Sequence, residues 1–468
     1  MIVMKFGGSS VADAERLRAM AELVKAQIKN RPVLVLSAMG NTTDYILAAA
    51  NAAINNGFVS IENIEDIHLR TIKDLELDAA LQREVKELFY ELGSLLTGIS
   101  LTRELTGRTR DCLVSFGERL SVRIAASYLQ SLKLNACALD SWDVGFVSDS
   151  NFGQAELRNE TWVRIASSLK TLTASGVLPV ITGFIAKDEN GNITTLGRGG
   201  SDLSATVIAA ACKAGEVQVW KDVDGILSAD PRLVKDARPV EKVSYEEAAE
   251  LAYFGAQVLH PRAMQPCMKT GIPVLVKNSF NPQAPGTKIE ALCEGKTPLI
   301  RAITSKKNVT LVDIVSTRML GQSGFLAQVF SEFSKNGVSV DMVATSEVSV
   351  SCTLDAAHDI GWINRDLSRY ADVEVRGDKA IVTIIGDVNR SSVILHRAFG
   401  VCEKEGICVQ MVSQGASKVN ISFIVDDIQA PHLVQALHAH FFAAQVKPAA
   451  KAGAAKPDAG AKAKNTKA

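Results

Sequence analysis

Thr194-Thr195-Leu196-Gly197-Arg198-Gly199-Gly200-Ser201-Asp202 sets three glycines, an arginine and a carboxylate in one turn, directly ahead of Leu203-Ser204-Ala205-Thr206-Val207-Ile208-Ala209-Ala210-Ala211. The second run reads as a buried helix with Ser201 or Asp202 as its N-cap. A helix start presents unpaired N–H groups and a partial positive charge, so phosphate or carboxylate is stabilised there. A plain surface turn needs one or two glycines and no arginine among them, which favours anion binding. A similar turn opens the chain: Met1-Ile2-Val3-Met4-Lys5-Phe6 is apolar except for Lys5, Gly7-Gly8-Ser9-Ser10 follows, and helical spacing continues through Ala14, Leu17, Met20, Leu23, Val24 and Ile28. Glycines let a backbone approach a phosphate, and Lys5 at the end of a buried strand is costly unless an anion meets it. Neither G-x-x-x-x-G-K-[ST] nor G-x-G-x-x-G occurs, so the Walker and dinucleotide fingerprints are both absent.

Working outward, residues 1 to about 295 alternate apolar strands with helical segments: Pro32–Ser37, Ala136–Asp140, Val177–Phe184, Val217–Trp220 and Pro273–Lys277 are the strands, and 57–132 looks helical throughout. Such alternation predicts an α/β fold with a mainly parallel sheet covered by helices on both faces. Loops after the strands, at Gly7, Ser37–Gly40, Gly183, Gly197 and Asp222, should gather at one sheet edge, where ligands of open α/β sheets bind. Further on, Gly337-Val338-Ser339-Val340-Asp341-Met342-Val343 is echoed by Gly406-Ile407-Cys408-Val409-Gln410-Met411-Val412. The surrounding pattern reads βαββαβ twice, at 309–378 and 379–446, and suits a sensor or an association surface. Residues 447–468 turn to Ala, Lys, Gly and Pro with no aromatic, a composition that favours disorder.

At 468 residues the chain is long enough for two or three domains, and its 51 basic and 51 acidic residues cancel. Nothing in that balance favours nucleic acid or an acidic membrane. No apolar run is long enough to span a bilayer and a strand begins at residue 2, so a cytoplasmic location is expected. The eight cysteines form no C-x-x-C pair and the seven histidines no H-E-x-x-H, so buried free thiols and no protein-held metal are expected. His260, in Val258-Leu259-His260-Pro261, reads as structural, with a site-lining role as the alternative.

Five ordered motifs resemble the aspartokinases: Lys5-Phe6-Gly7-Gly8-Ser9-Ser10; Ser115-Phe116-Gly117-Glu118-Arg119-Leu120-Ser121; Leu196–Asp202; Asp222-Val223-Asp224-Gly225-Ile226 with Asp230-Pro231-Arg232; and Phe254-Gly255-Ala256-Gln257-Val258-Leu259-His260-Pro261. With the paired repeats, the resemblance covers residues 2 to 446. It implies an amino acid kinase fold followed by two ferredoxin-like ACT modules, and phosphorylation of the L-aspartate side chain by ATP with Mg2+. Lys5 with Gly7, Gly8 and Ser9 would hold the transferring phosphate. Arg198 would clamp the substrate α-carboxylate, Glu118 would pair with its ammonium, and Thr43 would also contact aspartate. Gly200, Ser201 and Asp202 would orient substrate groups and Lys5. Lys221, Asp222, Leu227, Arg232 and Gln257 would flank the nucleotide. Outside the motifs, Glu118 reads equally as a capping or surface carboxylate, and Asp-Pro-Arg as a turn. Many relatives carry Thr where this chain has Lys221, and several carry Lys where it has Gln257, so the charge beside the nucleotide differs.

The first repeat carries Asp341 and Glu347 where the second has Gln410 and Ala416, and only the first therefore offers acidic groups to an ammonium. This segment resembles the regulatory segment of lysine-sensitive aspartokinases, in which Met319, Ser323, Gly324, Phe325, Leu326, Asp341, Thr345, Ser346 and Glu347 would line the pocket. Feedback inhibition by L-lysine is expected, with threonine as the alternative effector. A homodimer or dimer of dimers joined through these modules is expected from their open edge strands. Competing readings are a non-catalytic amino-acid sensor and a kinase for glutamate, carbamate or a nucleotide. The sensor would be expected to lack Lys5 or Asp202, and both are present.

Overall fold

The computed structural model describes residues 1–253, 259–291, 298–316, 323–355, 360–369, 371–414 and 419–443. Gln257, Met319, Ala416 and the tail from 447 lie outside them. The first half is built on a sheet of eight strands: β1 (Ile2–Phe6), β2 (Pro32–Leu36), β3 (Ala136–Leu139), β5 (Leu178–Thr182), β8 (Val217–Lys221), β9 (Lys242–Ser244), β10 (Val274–Asn278) and β11 (Thr287–Glu290). Their spatial order is β3-β5-β2-β1-β8-β10-β11-β9, and all neighbours are parallel except β10 and β11. Three further strands, β4 (Val147–Ser148), β6 (Ile185–Asp188) and β7 (Ile193–Thr195), form a separate small sheet, so the turn carrying Arg198 rises from outside the main sheet.

Every residue of β1, β2 and β5 is buried, as expected of parallel strands covered on both faces. Alternation along β1 sorts Met4 and Phe6 into one core and Val3 into the other. The first core is closed by α1 (Ala14–Gln27), α2 (Thr42–Asn56), α3 (Glu62–Asp74), α4 (Ala79–Thr102) and α5 (Gly107–Ser131). The second is closed by α6 (Glu160–Ala174), α7 (Gly200–Cys212), α8 (Tyr245–Tyr253) and α9 (Pro261–Thr270). Lys5 shares the Val3 side of β1, the side that α7 covers. Helix starts in this half show ordinary capping: Asp13, Asp78 and Thr106 each accept a backbone N–H of the first turn. No helix among the described residues is long and apolar enough to cross a membrane.

The second half is one six-stranded sheet, β13-β14-β12-β15-β17-β16. In chain order it comprises β12 (Ile300–Val315), α10 (Phe325–Lys335), β13 (Val340–Thr345), β14 (Ser349–Asp355), α11 (Gly361–Leu367), β15 (Asp372–Gly386), α12 (Ser391–Lys404), β16 (Met411–Ser413), β17 (Asn420–Asp426) and α13 (Ala430–Ala443). The strands β12 and β15 run through both modules. Val309–Val315 and Asp372–Arg376 complete the first, while Ile300–Lys306 pairs with Ile381–Gly386 to complete the second. The second module therefore takes its fourth strand from a segment ahead of residue 309, where the repeat alone places the start of the first. Register shifts fall at Lys306–Leu311, and Asn308 and Asp378 adopt left-handed backbone there. The sheet turns at this point, so that Val309, Leu311 and Met342 of one module meet Ile381, Met411 and Ile424 of the other. The helices lie on the outer faces, α10 and α11 over one core, α12 and α13 over another.

Candidate active site

At the carboxyl ends of β1 and β2 lies a cavity of about 560 Å³, lined by Lys5, Gly8, Thr43, Glu118 and the whole turn Gly197–Asp202, together with Ser37, Arg110, Asp111 and Phe184. Sequence and structure differ on how the turn ends. Neither Ser201 nor Asp202 is the N-cap: α7 begins at Gly200, and Gly199, at φ 73°, occupies the cap position with no side chain capping the first turn. The physical reason is proximity. A Cβ on Gly200 would lie 2.7 Å from the Phe184 ring, and one on Gly183 would lie 2.6 Å from Ser201 Cβ, so the helix start abuts the end of β5. Phe184 itself is held at φ 70°, a conformation bulky residues rarely adopt and one that clusters at functional sites.

Lys5 does meet an anion, and that anion is Asp202. Lys5 Nζ lies 2.7 Å from Asp202 Oδ1 and Lys221 Nζ 3.3 Å from Oδ2, with the Lys5 and Asp202 side chains both buried. Burial alone would raise the Asp202 carboxyl, but the two ammonium groups hold it below the usual carboxylate range. Burial, helped by the charge of Lys5, keeps the Lys221 ammonium below its ordinary value despite Asp202. Two cations against one carboxylate leave a net positive patch at the cavity floor. Gly7 donates its N–H to Trp220 O at 3.0 Å, and Gly40 N–H to Gly8 O at 3.1 Å. A Cβ on Gly8 would lie 2.8 Å from Ala38 O, so no side chain fits there.

Glu118 stands on α5 with the opposite problem. It is buried, its Oε1 accepts the Ala38 N–H at 3.2 Å, and its Oε2 has no hydrogen-bond partner. Burial pushes its carboxyl up to about 8, against the pull of the Ala38 N–H and the Lys5 charge. Gly117 permits this placement, since a Cβ there would lie 2.7 Å from Ala38 Cβ. Arg198 is exposed at the rim and forms no ion pair among the described residues. A cavity with a buried carboxyl group that leaves one oxygen without a partner, a guanidinium outside any ion pair among the described residues and a cationic floor suits a small zwitterion carrying one further negative charge. His260 caps α9 by accepting the Arg262 N–H, and its Cβ blocks the space beside Gly199. Burial and the adjoining Arg198 and Arg262 charges keep its ring below the ordinary histidine value, as a structural cap requires.

Of the described residues expected to flank the nucleotide, Asp222, Leu227 and Arg232 are not gathered in this cavity, and Lys221 reaches it through its pair with Asp202. Asp222 is exposed, and Arg232 projects into solvent paired with Asp230 at 2.7 Å. Leu227 and Arg232 line a second cavity of about 470 Å³, whose far wall is Thr304, Ser305 and Val434 of the second half. That segment is docked firmly: Ser228 Oγ lies 2.8 Å from His438 Nε2 on α13, and Gln435 donates to Leu233 O at 2.8 Å. The helix α8 carries a second docking face at three-residue spacing. Glu247 pairs with Arg301, Glu250 accepts from Asn420, and Tyr253 OH donates to Asp341 Oδ1, each at 2.5 Å.

Of the residues expected to bind an effector, Ser323 to Leu326 and Thr345 to Glu347 lie at one end of the first module, where β12 and β13 both finish. Asp341 is held apart from them. It is buried at the seam with the first half, paired with Lys306 Nζ at 2.6 Å, while Lys306 also reaches Asp355 at 2.7 Å. In the second module Lys379 pairs with Asp426 at 2.5 Å and Gln410 donates to Asp426 at 2.9 Å. Sequence reasoning missed Asp111, Phe184 and Tyr253. The first sits one turn before a quoted motif, and the other two are identifiable only from tertiary contacts.

Residues 1–278 match the amino acid kinase family model, and 312–358 with 382–441 match the ACT domain model. Aspartokinase 1, chloroplastic, of Arabidopsis thaliana is 47% identical over 457 residues, covering 94% of this chain and 80% of that protein. Its compartment gives no support to the cytoplasmic location expected from the sequence. The crystal structure of Escherichia coli aspartokinase III with aspartate and ADP, an R-state, is 33% identical and covers 94% of this chain and 100% of its own, with a TM-score of 0.81. The same enzyme with lysine and aspartate, a T-state, gives 0.76 at 32% identity, covering 94% and 99%. With family models on both halves and relatives matched over most of their length, the chain belongs to the aspartokinases of the amino acid kinase family.

Proposed function

We propose that the chain transfers the γ-phosphoryl group of ATP to the side-chain carboxylate of L-aspartate, giving 4-phospho-L-aspartate. The observation that carries this reading is Glu118 Oε2, a buried acceptor without a partner in the wall of a cavity whose floor is cationic. The substrate ammonium would fill that vacancy, and Arg198 would take the α-carboxylate with the two-pronged geometry a guanidinium offers. The side-chain carboxylate then faces Lys5 already ionised, so no general base is needed and the task is to bring two anions together. Lys5 and Lys221, oriented by their shared Asp202, offset the charge spread over the phosphoryl group in transit. Magnesium bound to the nucleotide would supply neutralisation of phosphate charge. Among the described residues no group of three or more His, Cys, Asp or Glu could cage a metal, and Asp202 is committed to its lysines, which suits an ion held chiefly by phosphate oxygens.

L-Lysine is the proposed feedback inhibitor, acting through the first regulatory module. Support comes from the acidic asymmetry of the repeats and from the contact of Asp341 with α8, which gives that module a direct grip on the catalytic half. Association of two copies through the same module is favoured by the open edge of β13, where Val343 is exposed, and by exposed Val315, Leu326 and Val348 nearby. An ATP-dependent hydroxamate assay with L-aspartate against L-glutamate, repeated with L-lysine and L-threonine, tests both readings. Turnover of glutamate in preference to aspartate overturns the first, and sensitivity to threonine alone overturns the second.

A further inference from the structure

One buried carboxylate in the cavity wall has no part in the chemistry above. Asp111 is 1% exposed and lies on α5 seven residues before Glu118, two turns away on the same helix face. Its Oδ2 accepts the Thr195 N–H at 2.8 Å and the Gly153 N–H at 2.8 Å, and its Oδ1 accepts the Thr195 hydroxyl at 3.0 Å. Both partners belong to the support of Arg198. Thr195 ends β7 three residues before it, and a Cβ on Gly197 would lie 3.2 Å from Gly153 O, so the 153 loop packs against the turn itself. Thr195 O in turn accepts the Ala155 N–H at 2.9 Å, tying the two segments together. A single helix therefore carries Glu118, and through Asp111 grips the turn that carries Arg198.

We propose that Asp111 is a positioning residue that fixes the separation between the ammonium-binding and carboxylate-binding arms of the site, and thereby the substrate length it accepts. The proposal rests on the reading of Glu118 and Arg198 as those arms. Burial raises the Asp111 carboxyl above its ordinary value, although its three donors and Arg110 oppose this. L-Glutamate differs from L-aspartate by one methylene, a difference a rigid pocket discriminates by roughly 10- to 200-fold. Loosening the grip should erode that discrimination more than it erodes nucleotide use.

The test is steady-state kinetics of the full chain with both amino acids and with ATP. Asp111→Ala is expected to raise KM for aspartate at least about tenfold, to lower the aspartate-to-glutamate ratio of kcat/KM by a similar factor, and to leave KM for ATP within about twofold. Asp111→Asn should recover most of the loss, because its amide oxygen can accept both backbone N–H groups while its NH2 donates to the Thr195 hydroxyl. An unchanged ratio, equal losses toward both substrates, or no recovery in the Asn variant overturns the proposal. Should the Ala variant not fold, Thr195→Val removes one contact alone, with a several-fold rise in aspartate KM expected and an unchanged KM refuting. Failure of the wild-type chain to phosphorylate aspartate at all would instead refute the function on which the proposal rests.

Discussion

Binding of aspartate should release a proton, because the residue proposed to hold its ammonium is protonated in the empty site. Burial lifts the Glu118 carboxyl to about 8, and the substrate ammonium requires the carboxylate. At pH 7 only about one-tenth of the free enzyme is then competent, and at pH 6 about one-hundredth, so apparent affinity falls by those factors. Calorimetric titration with L-aspartate at pH 6, 7 and 8, in two buffers of different ionisation enthalpy, reads both quantities. Affinity should rise about tenfold from pH 6 to 7 and about fivefold from pH 7 to 8, with close to one proton released at pH 7. Glu118→Gln should abolish the pH dependence and weaken binding by roughly 10- to 150-fold at pH 8, from about 1.5–3 kcal/mol for a charge-assisted hydrogen bond. The sign for stability is opposite to that of an ordinary paired carboxylate. The folded state holds this proton more tightly than the unfolded chain, so the group costs stability as pH rises from its usual range to about 8, and the Gln variant should melt higher there. Aspartate affinity that is flat from pH 6 to 8 with no proton exchange would refute the reasoning.

Lys5→Met should lower kcat by roughly 100- to 1,000-fold, from about 3–4 kcal/mol for one charge-stabilising donor, with circular dichroism unchanged; retention of half the activity would remove Lys5 from the reaction. If lysine competes for Asp341, the Tyr253 hydroxyl opposes it, so Tyr253→Phe should lower the lysine concentration for half-inhibition about tenfold, from about 1.5 kcal/mol for a bond to a charged group, without changing uninhibited turnover. Equal or weaker sensitivity in that variant would place the effector's contact elsewhere. Light scattering at micromolar concentration should report a dimer or larger, and a monomer would refute association through β13.

The parallel architecture and the cavity are legible in the sequence because their signals are local. Mostly apolar five-residue strands, glycines after them and an arginine among glycines each have few physical explanations. Propensity points to Ser201 or Asp202 as the cap of α7, whereas the packing of Phe184 against Gly200 decides where the helix begins. The need of Lys5 for an anion is a local signal, but its pairing with Asp202, 197 positions along the chain on another element, follows only from the family resemblance and from no local pattern. The βαββαβ repeat was visible, yet which strand completes which module depends on pairing of Ile300 with Gly386, and strand partners leave no mark in one sequence. Asp341 illustrates the same limit: its charge stands in the sequence, but its burial against Lys306 and Tyr253 is a property of the seam.

The two long shared strands make the first regulatory module an insertion within the second. Its chain enters after Lys306 and leaves at Lys379, and Val309 pairs directly with Lys379, so entry and exit stand side by side on adjacent strands. A segment whose ends meet this closely can be replaced by another domain with matching termini without opening the host sheet. Exchange of effector specificity by cassette replacement is thus available to this scaffold, both to evolution and to the engineer. Cutting between the modules in sequence order is not equivalent. A fragment starting at residue 379 would lack the strand Ile300–Lys306 and bare the edge of β15, inviting a second chain to supply the missing strand.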